Sequence, residues 1–506
     1  MKKLTMIRSA AQTISLMVFV SILWYTAYPL KGLLPSGLFF KLDPLLMTMA
    51  AISERAIIPG MMFAAAMLLA ALILGRFFCG WICPLGACVD LAGGIRKKTL
   101  KNSDMLRKSR FIKFFILTVV VFLAVLGYQA AWIMDPTVIA GRAVSMNVIP
   151  AVIFAVDKVF IIAVQSLGSH GGAVYDVYTN LRSSFLAEGV RCYQGSFMFF
   201  ICFLFPLVTA VFVARFWCRA LCPLGALYGV TAKLSLLRRH AEKCGHCGLC
   251  AAKCRMGAIF ADGQKYDPAE CVLCMDCVYV CKVNAVKFSF DREKQSEAGQ
   301  PGGRSGITRH EFIAFLAAAL MSFGFDIKGK LFGGTKKTVI RPPAALEESD
   351  FVKRCVRCGN CMKVCVTNGL QPVFFEAGPE AVWTPKLAPE IGYCQFDCNM
   401  CGKVCPSGAI PHLDVHKKQG IKLGTACVNK GVCLAWHDKV ECIVCEEHCP
   451  IPEKAIKLES EVVDGVTIHK PYVDKDLCVG CGMCENKCPV RPIRAITVDS
   501  STAERS

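Results

Sequence analysis

The sequence predicts a multidomain chain, an α-helical membrane domain of four spans arranged as two pseudo-repeated hairpins, followed by small α+β modules organised around cysteines. Three observations carry that reading. The chain has 506 residues, is 54% hydrophobic with mean hydropathy +0.44, and concentrates its apolar excess in the first half. A twelve-residue segment occurs twice within that half. Beyond residue 240, 24 of the 32 cysteines fall into six groups of four. At this length two or three domains are expected.

Four apolar stretches are long enough to cross a bilayer, approximately 11–30, 59–78, 111–134 and 195–217. Basic residues orient them. Lys2, Lys3 and Arg8 precede the first; Arg96, Lys97, Lys98, Lys101, Arg107, Lys108 and Arg110 lie between the second and third; Arg219, Lys233, Arg238, Arg239 and Lys243 follow the fourth. The other two loops are poor in Lys and Arg, so both ends of the four-span unit face the cytoplasm. The first stretch is read as a span and not a signal peptide, because no small-residue cleavage site follows it and further spans do. The insertion at 148–167 is apolar but carries Asp157 and Lys158 at its centre, which predicts an interfacial helix.

The duplicated segment is Arg76-Phe-Phe-Cys-Gly-Trp-Ile-Cys-Pro-Leu-Gly-Ala87, matching Arg215-Phe-Trp-Cys-Arg-Ala-Leu-Cys-Pro-Leu-Gly-Ala226 at eight of twelve positions. Each copy sits at the cytoplasmic end of a span, and each partner span ends in Asp-Pro, at Asp43-Pro44 and Asp135-Pro136. Residues i and i+4 share a helix face. Two such hairpins bring Cys79, Cys83, Cys218 and Cys222 together as a metal or cluster site or a set of redox thiols. The alternative is four buried small hydrophobes. Asp43 and Asp135 are the carboxylates available to accept protons near the membrane surface, although Asp before Pro also commonly just ends a helix or starts a turn.

The six cysteine groups are stricter. Cys478-x2-Cys481-x2-Cys484-x3-Cys488-Pro489 has the spacing of a bacterial 4Fe–4S site, in which the fourth cysteine serves the neighbouring cluster. Cys244/Cys247/Cys250/Cys254, Cys271/Cys274/Cys277/Cys281 and Cys355/Cys358/Cys361/Cys365 repeat it without the proline. Cys394/Cys398/Cys401/Cys405 stretches the first gap by one, and the last group is Cys433, a long gap, then Cys442/Cys445/Cys449. Zinc sites instead pair two Cys-x2-Cys units across a loop. The groups therefore predict about six 4Fe–4S clusters in ferredoxin-like modules, and a chain that moves electrons. In 241–290 the crossover predicts one cluster on Cys244, Cys247, Cys250 and Cys281, the other on Cys271, Cys274, Cys277 and Cys254. Cys88, Cys192, Cys202 and Cys427 have no spacing logic and are read as non-ligands.

These features divide the chain into a membrane domain (1–240), a two-cluster module (241–290), a connecting region (291–345) and a four-cluster module (346–506). Within the connecting region, 291–306 reads as a flexible linker. The apolar segment 312–327 is a marginal fifth span, reaching only about 21 Å as a helix against ~30 Å of hydrocarbon. Thr308-Arg-His-Glu-Phe-Ile313 before it resembles a twin-arginine export signal with His310 in place of the second arginine, which places 346–506 outside the cytoplasm. The net charge of +19 flanks the apolar segments and suits anionic lipid and acidic redox partners, with no nucleic-acid recognition module visible. No haem-attachment, dinucleotide or P-loop motif is present, so substrate chemistry falls to a partner.

The four-span unit with its two Cys-x3-Cys-Pro motifs and trailing two-cluster module resembles the NapH-type membrane quinol-dehydrogenase subunit. Residues 346–506 resemble its four-cluster NapG/MauM-type partner, on Cys355-Val-Arg-Cys-Gly-Asn-Cys361, Cys405-Pro-Ser-Gly-Ala-Ile410 and Cys442-Ile-Val-Cys-Glu-Glu-His-Cys-Pro450. The resemblance selects Cys433 over Cys427 as the ligand ahead of the long gap. It implies a fusion of both subunits in the cytoplasmic membrane of a bacterium or archaeon, an oxidoreductase component taking electrons from quinol to a separate reductase. The membrane motif is also similar to that of NosR and CcoG proteins, which implies the alternative of electron supply to a metalloenzyme under maturation.

Overall fold

The computed structural model describes residues 2–30, 32, 34–95, 109–167, 172–184, 191–242, 244–290, 339–463 and 466–505. The linker 291–306 and the short apolar segment 312–327 lie outside the described residues. The chain divides into two compact units, one comprising Met1–Leu23, Gly37–Val144 and Phe197–Gly333, the other Trp24–Ser36, Ser145–Ser196 and Gly334–Ser506.

The first unit is helical around its duplicated motif. Among the described residues two helices are long and apolar enough to cross a membrane, Leu4–Tyr25 and Pro136–Leu167. Met61–Leu74 and Ser196–Phe212 are apolar throughout but, at 14 and 17 residues, shorter than a full span. Their outward faces stay apolar: Met62 is 74% exposed and Phe197 65%. A face of that kind matches hydrocarbon better than water.

Two expectations change here. The segment 148–167 is helical but not separate: it continues a 32-residue run from Pro136, joined through a π-helical turn at Val144–Val148. Asp157 does not interrupt the run, because its carboxylate accepts a hydrogen bond from the Tyr178 hydroxyl at 2.8 Å. The two Asp-Pro pairs do not end helices; they start them. Asp43 caps Pro44–Glu54 by accepting from the Leu45 and Leu46 amides, and Asp135 caps Pro136–Ala143 by accepting from Thr137 and Val138. Proline at the first helical position favours this arrangement, since its missing N–H is unneeded there.

The rest of the first unit is a small α+β module. Strands Arg238–Ala241 and Val286–Ser289 pair antiparallel, with Arg239 opposite Phe288, and enclose the short helices Leu249–Lys253 and Asp276–Val280.

In the second unit, three antiparallel strand pairs frame four short cysteine-bearing helices. Leu370–Pro372 pairs with Pro385–Leu387, Thr425–Val428 with Ile496–Asp499, and Ile456–Val463 with Val466–Val473. One core cluster joins Ala426, Ala435, Ile456, Ile468 and Ile496 to the buried Cys433, Cys445, Cys478, Cys484 and Cys488. Cysteines are part of the hydrophobic core here, so the packing of this module and the geometry of its sites are one problem.

Candidate iron–sulfur and four-cysteine sites

The strict motifs share one backbone device. In each, the residues immediately before and immediately after the second cysteine adopt positive φ: His246 and Gly248, Leu273 and Met275, Arg357 and Gly359, Gly480 and Gly482. Left-handed residues at these places turn the chain around a centre, and side chains other than glycine adopt them only where the surroundings impose it. The third cysteine then sits in the first turn of a short helix, and the fourth caps that helix in extended conformation, as at Cys254, Cys281 and Cys365. This reversal sends the fourth sulfur away from the first three.

The result is five cavities of about 320 to 440 Å³, each lined by four cysteines. Cys271, Cys274 and Cys277 share theirs with Cys254. Cys355, Cys358 and Cys361 share theirs with Cys405, and Cys394, Cys398 and Cys401 with Cys365. Cys433, Cys442 and Cys445 meet Cys488, while Cys478, Cys481 and Cys484 meet Cys449. Of the remaining group, the Cys244 and Cys250 sulfurs converge beside Gly263, and Cys281 accepts from the Ala285 amide at 3.3 Å. Cys427 is exposed on strand Thr425–Val428 and lines none of these cavities.

The donor sets fit a cluster and not a single ion. Among the described residues no three His, Cys, Asp or Glu side chains converge on one metal-ion position, as a zinc site with bonds of about 2.3 Å would require. Backbone amides also point at the sulfurs: Ala258 N donates to Cys254, Ile410 N to Cys405 and Ala426 N to Cys478, at 3.3 to 3.4 Å. Hydrogen bonds of this kind tune cluster potentials. Burial pushes the thiols of Cys271 and Cys445 up to about 12. Bare thiols there stay protonated at neutral pH, and iron would bind by displacing those protons.

The duplicated motif builds the other site. Cys79, Cys83, Cys218 and Cys222 are all buried, and Cys83 lies within charge-interaction range of the other three. Cys83 and Cys222 each cap a helix beginning with proline, their sulfurs accepting the amides of Gly86 and Gly225 at 3.3 Å. Arg76 donates to the Cys218 carbonyl, and Arg215 to the Cys79 carbonyl. Tyr228 stands where the first copy has Val89; its hydroxyl has no hydrogen-bond partner and lies near Asp43, Asp135, Cys79 and Cys83.

The two-cluster module docks directly on this site. Arg76 donates to the Ala269 carbonyl at 2.6 Å and pairs with Glu270 at 3.2 Å, and Lys113 pairs with the same carboxylate at 2.5 Å. The Trp81 indole donates to the Leu273 carbonyl at 3.1 Å. A Cβ at Gly80 would lie 2.1 Å from the Val272 oxygen, so only glycine admits the approach. Residues 269–273, which carry Cys271, thus lie against the first Cys-x3-Cys-Pro motif. A second knot gathers Arg8, Arg215 and Arg255 on Asp90, Arg215 bidentately at 2.7 Å. Burial alone would raise the Asp90 carboxyl, but the three arginines hold it well below the usual range. The sequence reading missed Glu270, Lys113 and Asp90. Only Asp90, an acid inside the small apolar helix Pro84–Gly94, carried a visible signal.

Comparison with known proteins bears on these sites. A 4Fe–4S binding domain model matches residues 56–103 and 196–243, covering both copies of the repeat, and another matches 471–494. A NosR model matches 242–288. The methylamine utilization ferredoxin-type protein MauM of Methylorubrum extorquens is 37% identical over 153 residues, 29% of this chain and 67% of that protein. MauM of Paracoccus denitrificans is 32% identical over 193 residues, 37% of this chain and 85% of that protein. The chain belongs to the MauM/NapG family of ferredoxin-type proteins. The ferredoxin-type protein NapG of Escherichia coli is 32% identical over 177 residues, 34% of this chain and 74% of that protein. No solved structure matches. This MauM/NapG-type chain is an iron–sulfur electron-transfer protein with 4Fe–4S modules, working with a redox partner protein.

Proposed function

We propose that this chain oxidises quinol in the membrane and passes the electrons through six cysteine-held sites to a partner reductase. The observation carrying the reading is the docking of residues 269–273, which include Cys271, on the segment Arg76–Trp81 that carries Cys79. When bound, 4Fe–4S clusters supply one-electron transfer at buried sites. In this reading the four cysteines that line each of the five cavities are its ligands, and Cys244, Cys247, Cys250 and Cys281 are the sixth set. Cys79, Cys83, Cys218 and Cys222 form the metal or redox-thiol site nearest the lipid-soluble donor. The NapH-like front half and NapG-like tail act as one fused relay, held in the membrane by more than one span.

The second unit supports the sidedness of this relay. Trp24–Ser36 and Ser145–Ser196, the loops poor in basic residues, group with the tail 339–505. By the distribution of Lys and Arg these loops lie outside the cytoplasm. The tail then faces the same side, and the 241–290 module the other.

The test is anaerobic mixing with a menaquinol or ubiquinol analogue, following cluster reduction optically and by EPR. Reduction is the expected result. The NosR-model match at 242–288 favours one second reading, electron supply to a metalloenzyme under assembly. Failure of every quinol to reduce any cluster, with ready reduction by a low-potential soluble donor, would replace the first reading by the second.

A further inference from the structure

The second unit contains a strap that the reading above does not use. Residues 191–195 lie immediately before the helix Ser196–Phe212, which leads on to Arg215 and Cys218. Arg191, only 8% exposed, donates to the Lys363 carbonyl. The Cys192 carbonyl accepts from the Asn368 and Gln371 side chains at 2.7 and 3.2 Å. The Gln194 amide donates to Gln371 at 3.0 Å. Gly195, at φ +61°, lies so close to the Phe374 ring that a Cβ would come within 2.2 Å of it. From the other loop, the Ser36 carbonyl accepts from the buried Asn360 at 3.0 Å. Among the described residues these five hydrogen bonds all land between 360 and 374. That segment carries Cys361 of one cavity and Cys365 of the next. Tyr193 is buried between them, its hydroxyl unpartnered and within charge range of both sulfurs.

The four tail sites lie in a row. Cys361 neighbours Cys405 and Cys401, which links the Cys355 site to the Cys365 site. The Cys394 amide donates to the Cys481 carbonyl at 2.8 Å, linking the Cys365 site to the Cys449 site. Cys484 neighbours Cys445, linking that site to the Cys433 site. The strap sits at one end of the row. At the other, Val440, Ile443 and Ile493 are 53%, 41% and 64% exposed.

We propose that the strap is the electron entry to the tail: electrons arrive at the Cys361/Cys365 end beneath Tyr193 and leave from the Cys433 site. The proposal rests on the quinol-oxidation reading and names the internal contact that reading needs. No atoms transfer; one electron enters at one end of the row for each that leaves at the other.

The test is Gly195→Leu, which drives a side chain into the Phe374 ring, beside the milder Asn368→Ala/Gln371→Ala pair, which removes both donors to the Cys192 carbonyl. Full-length chains with wild-type iron content are mixed anaerobically with menaquinol analogue, and front and tail clusters are distinguished by their EPR signals. The expected result is loss of quinol-driven tail reduction in the variants, while the 241–290 clusters fill as in wild type and dithionite still reduces the tail. Tail reduction at the wild-type rate in both variants overturns the strap proposal and leaves the quinol reading standing. If quinol reduces no cluster in the wild-type chain, the quinol reading falls and the proposal with it.

Discussion

Arg76 donates from Nη2 to the carbonyl oxygen of Cys218 at 3.4 Å, and its duplicate Arg215 donates to the carbonyl of Cys79 at 3.2 Å. Each copy of the repeat thus supplies the arginine that holds the first cysteine of the other. The exchange ties the two Cys-x3-Cys-Pro motifs into one object, while Arg76 Nη1 engages Glu270 and Arg215 Nε and Nη2 engage Asp90. A pair of motifs repeated only as packing would not need its backbone carbonyls turned toward buried cations.

This geometry makes the cysteines testable. Replacing Cys79 and Cys218 by Ala removes little volume, so as packing the change costs only about 1 kcal/mol per site. The expected outcome is a folded chain with unchanged iron content that no longer moves electrons from quinol. Full quinol-driven cluster reduction in the double variant would return the four thiols to the role of buried hydrophobes.

Asp90 gives a prediction with a sign in pH. Its carboxyl, held low by Arg215, Arg255 and Arg8, stays ionised where an unfolded chain's aspartate takes up a proton. A depressed native value contributes stability fully above the unfolded value and loses it as pH falls through that value toward the native one. Stability against urea should therefore fall with decreasing pH below about 5 in the wild-type chain, and fall less in Asp90→Asn. At neutral pH the variant should be weaker by about 3–5 kcal/mol, because three arginines lose their shared buried partner. Equal acid sensitivity in both chains would show that Asp90 is not the group responsible.

Much of this was legible in the sequence, for identifiable reasons. A cubane constrains cysteine spacing locally, so the motifs announce 4Fe–4S modules before any tertiary contact is known. The twelve-residue repeat is equally local. Glu270 and Lys113 were not legible, because their meaning comes from contact with Arg76 across most of the first unit. The run Pro136–Leu167 was misjudged at Asp157, where charge in the sequence did not reveal that Tyr178, 21 residues on, would satisfy it. Asp43 and Asp135 read from the sequence as helix ends, but their carboxylates accept the amides two and three residues on and so start helices.

Those two aspartates support a spectroscopic prediction. Both are wholly buried, and the Thr137 hydroxyl lies 2.6 Å from Asp135 Oδ1 and 3.1 Å from Asp43 Oδ2, with one proton to give. Asp135 Oδ2 has no donor at all. Like charges so placed cannot both persist, so one proton is shared between the carboxyls. Infrared spectra should show the carbonyl stretch of a protonated carboxylic acid, lost in Asp135→Asn with the fold intact, since asparagine still caps the helix. Persistence of that band in both Asp135→Asn and Asp43→Asn would assign it elsewhere.

Metal content follows from the ligand sets. Six filled sites carry about 24 iron atoms per chain. Because Cys433, Cys445, Cys478, Cys484 and Cys488 lie inside the hydrophobic core of the tail, iron removal by a chelator should unfold the tail and not merely bleach it. Loss of its circular-dichroism signal in step with iron release is the expected outcome. Fewer than about 16 irons with stoichiometric zinc would contradict the assignment.

The sidedness of the chain can be read with fusions. A reporter at residue 290 follows strand Val286–Ser289, which pairs with Arg238–Ala241 directly after the basic stretch closing the fourth apolar segment. In the proposed orientation its Lys and Arg hold that end in the cytoplasm. A reporter at the C terminus follows a tail bonded to Ser36 and to 191–194, in loops that carry few basic residues for their length. A loop that crosses the membrane takes its bound module to the same side. The 290 fusion should therefore be active only with a reporter that works in the cytoplasm, and the C-terminal fusion only with one that needs export. Cytoplasmic signals from both would place the tail, its strap and the loop through Ser36 on the inner face, reversing the orientation read from the basic residues.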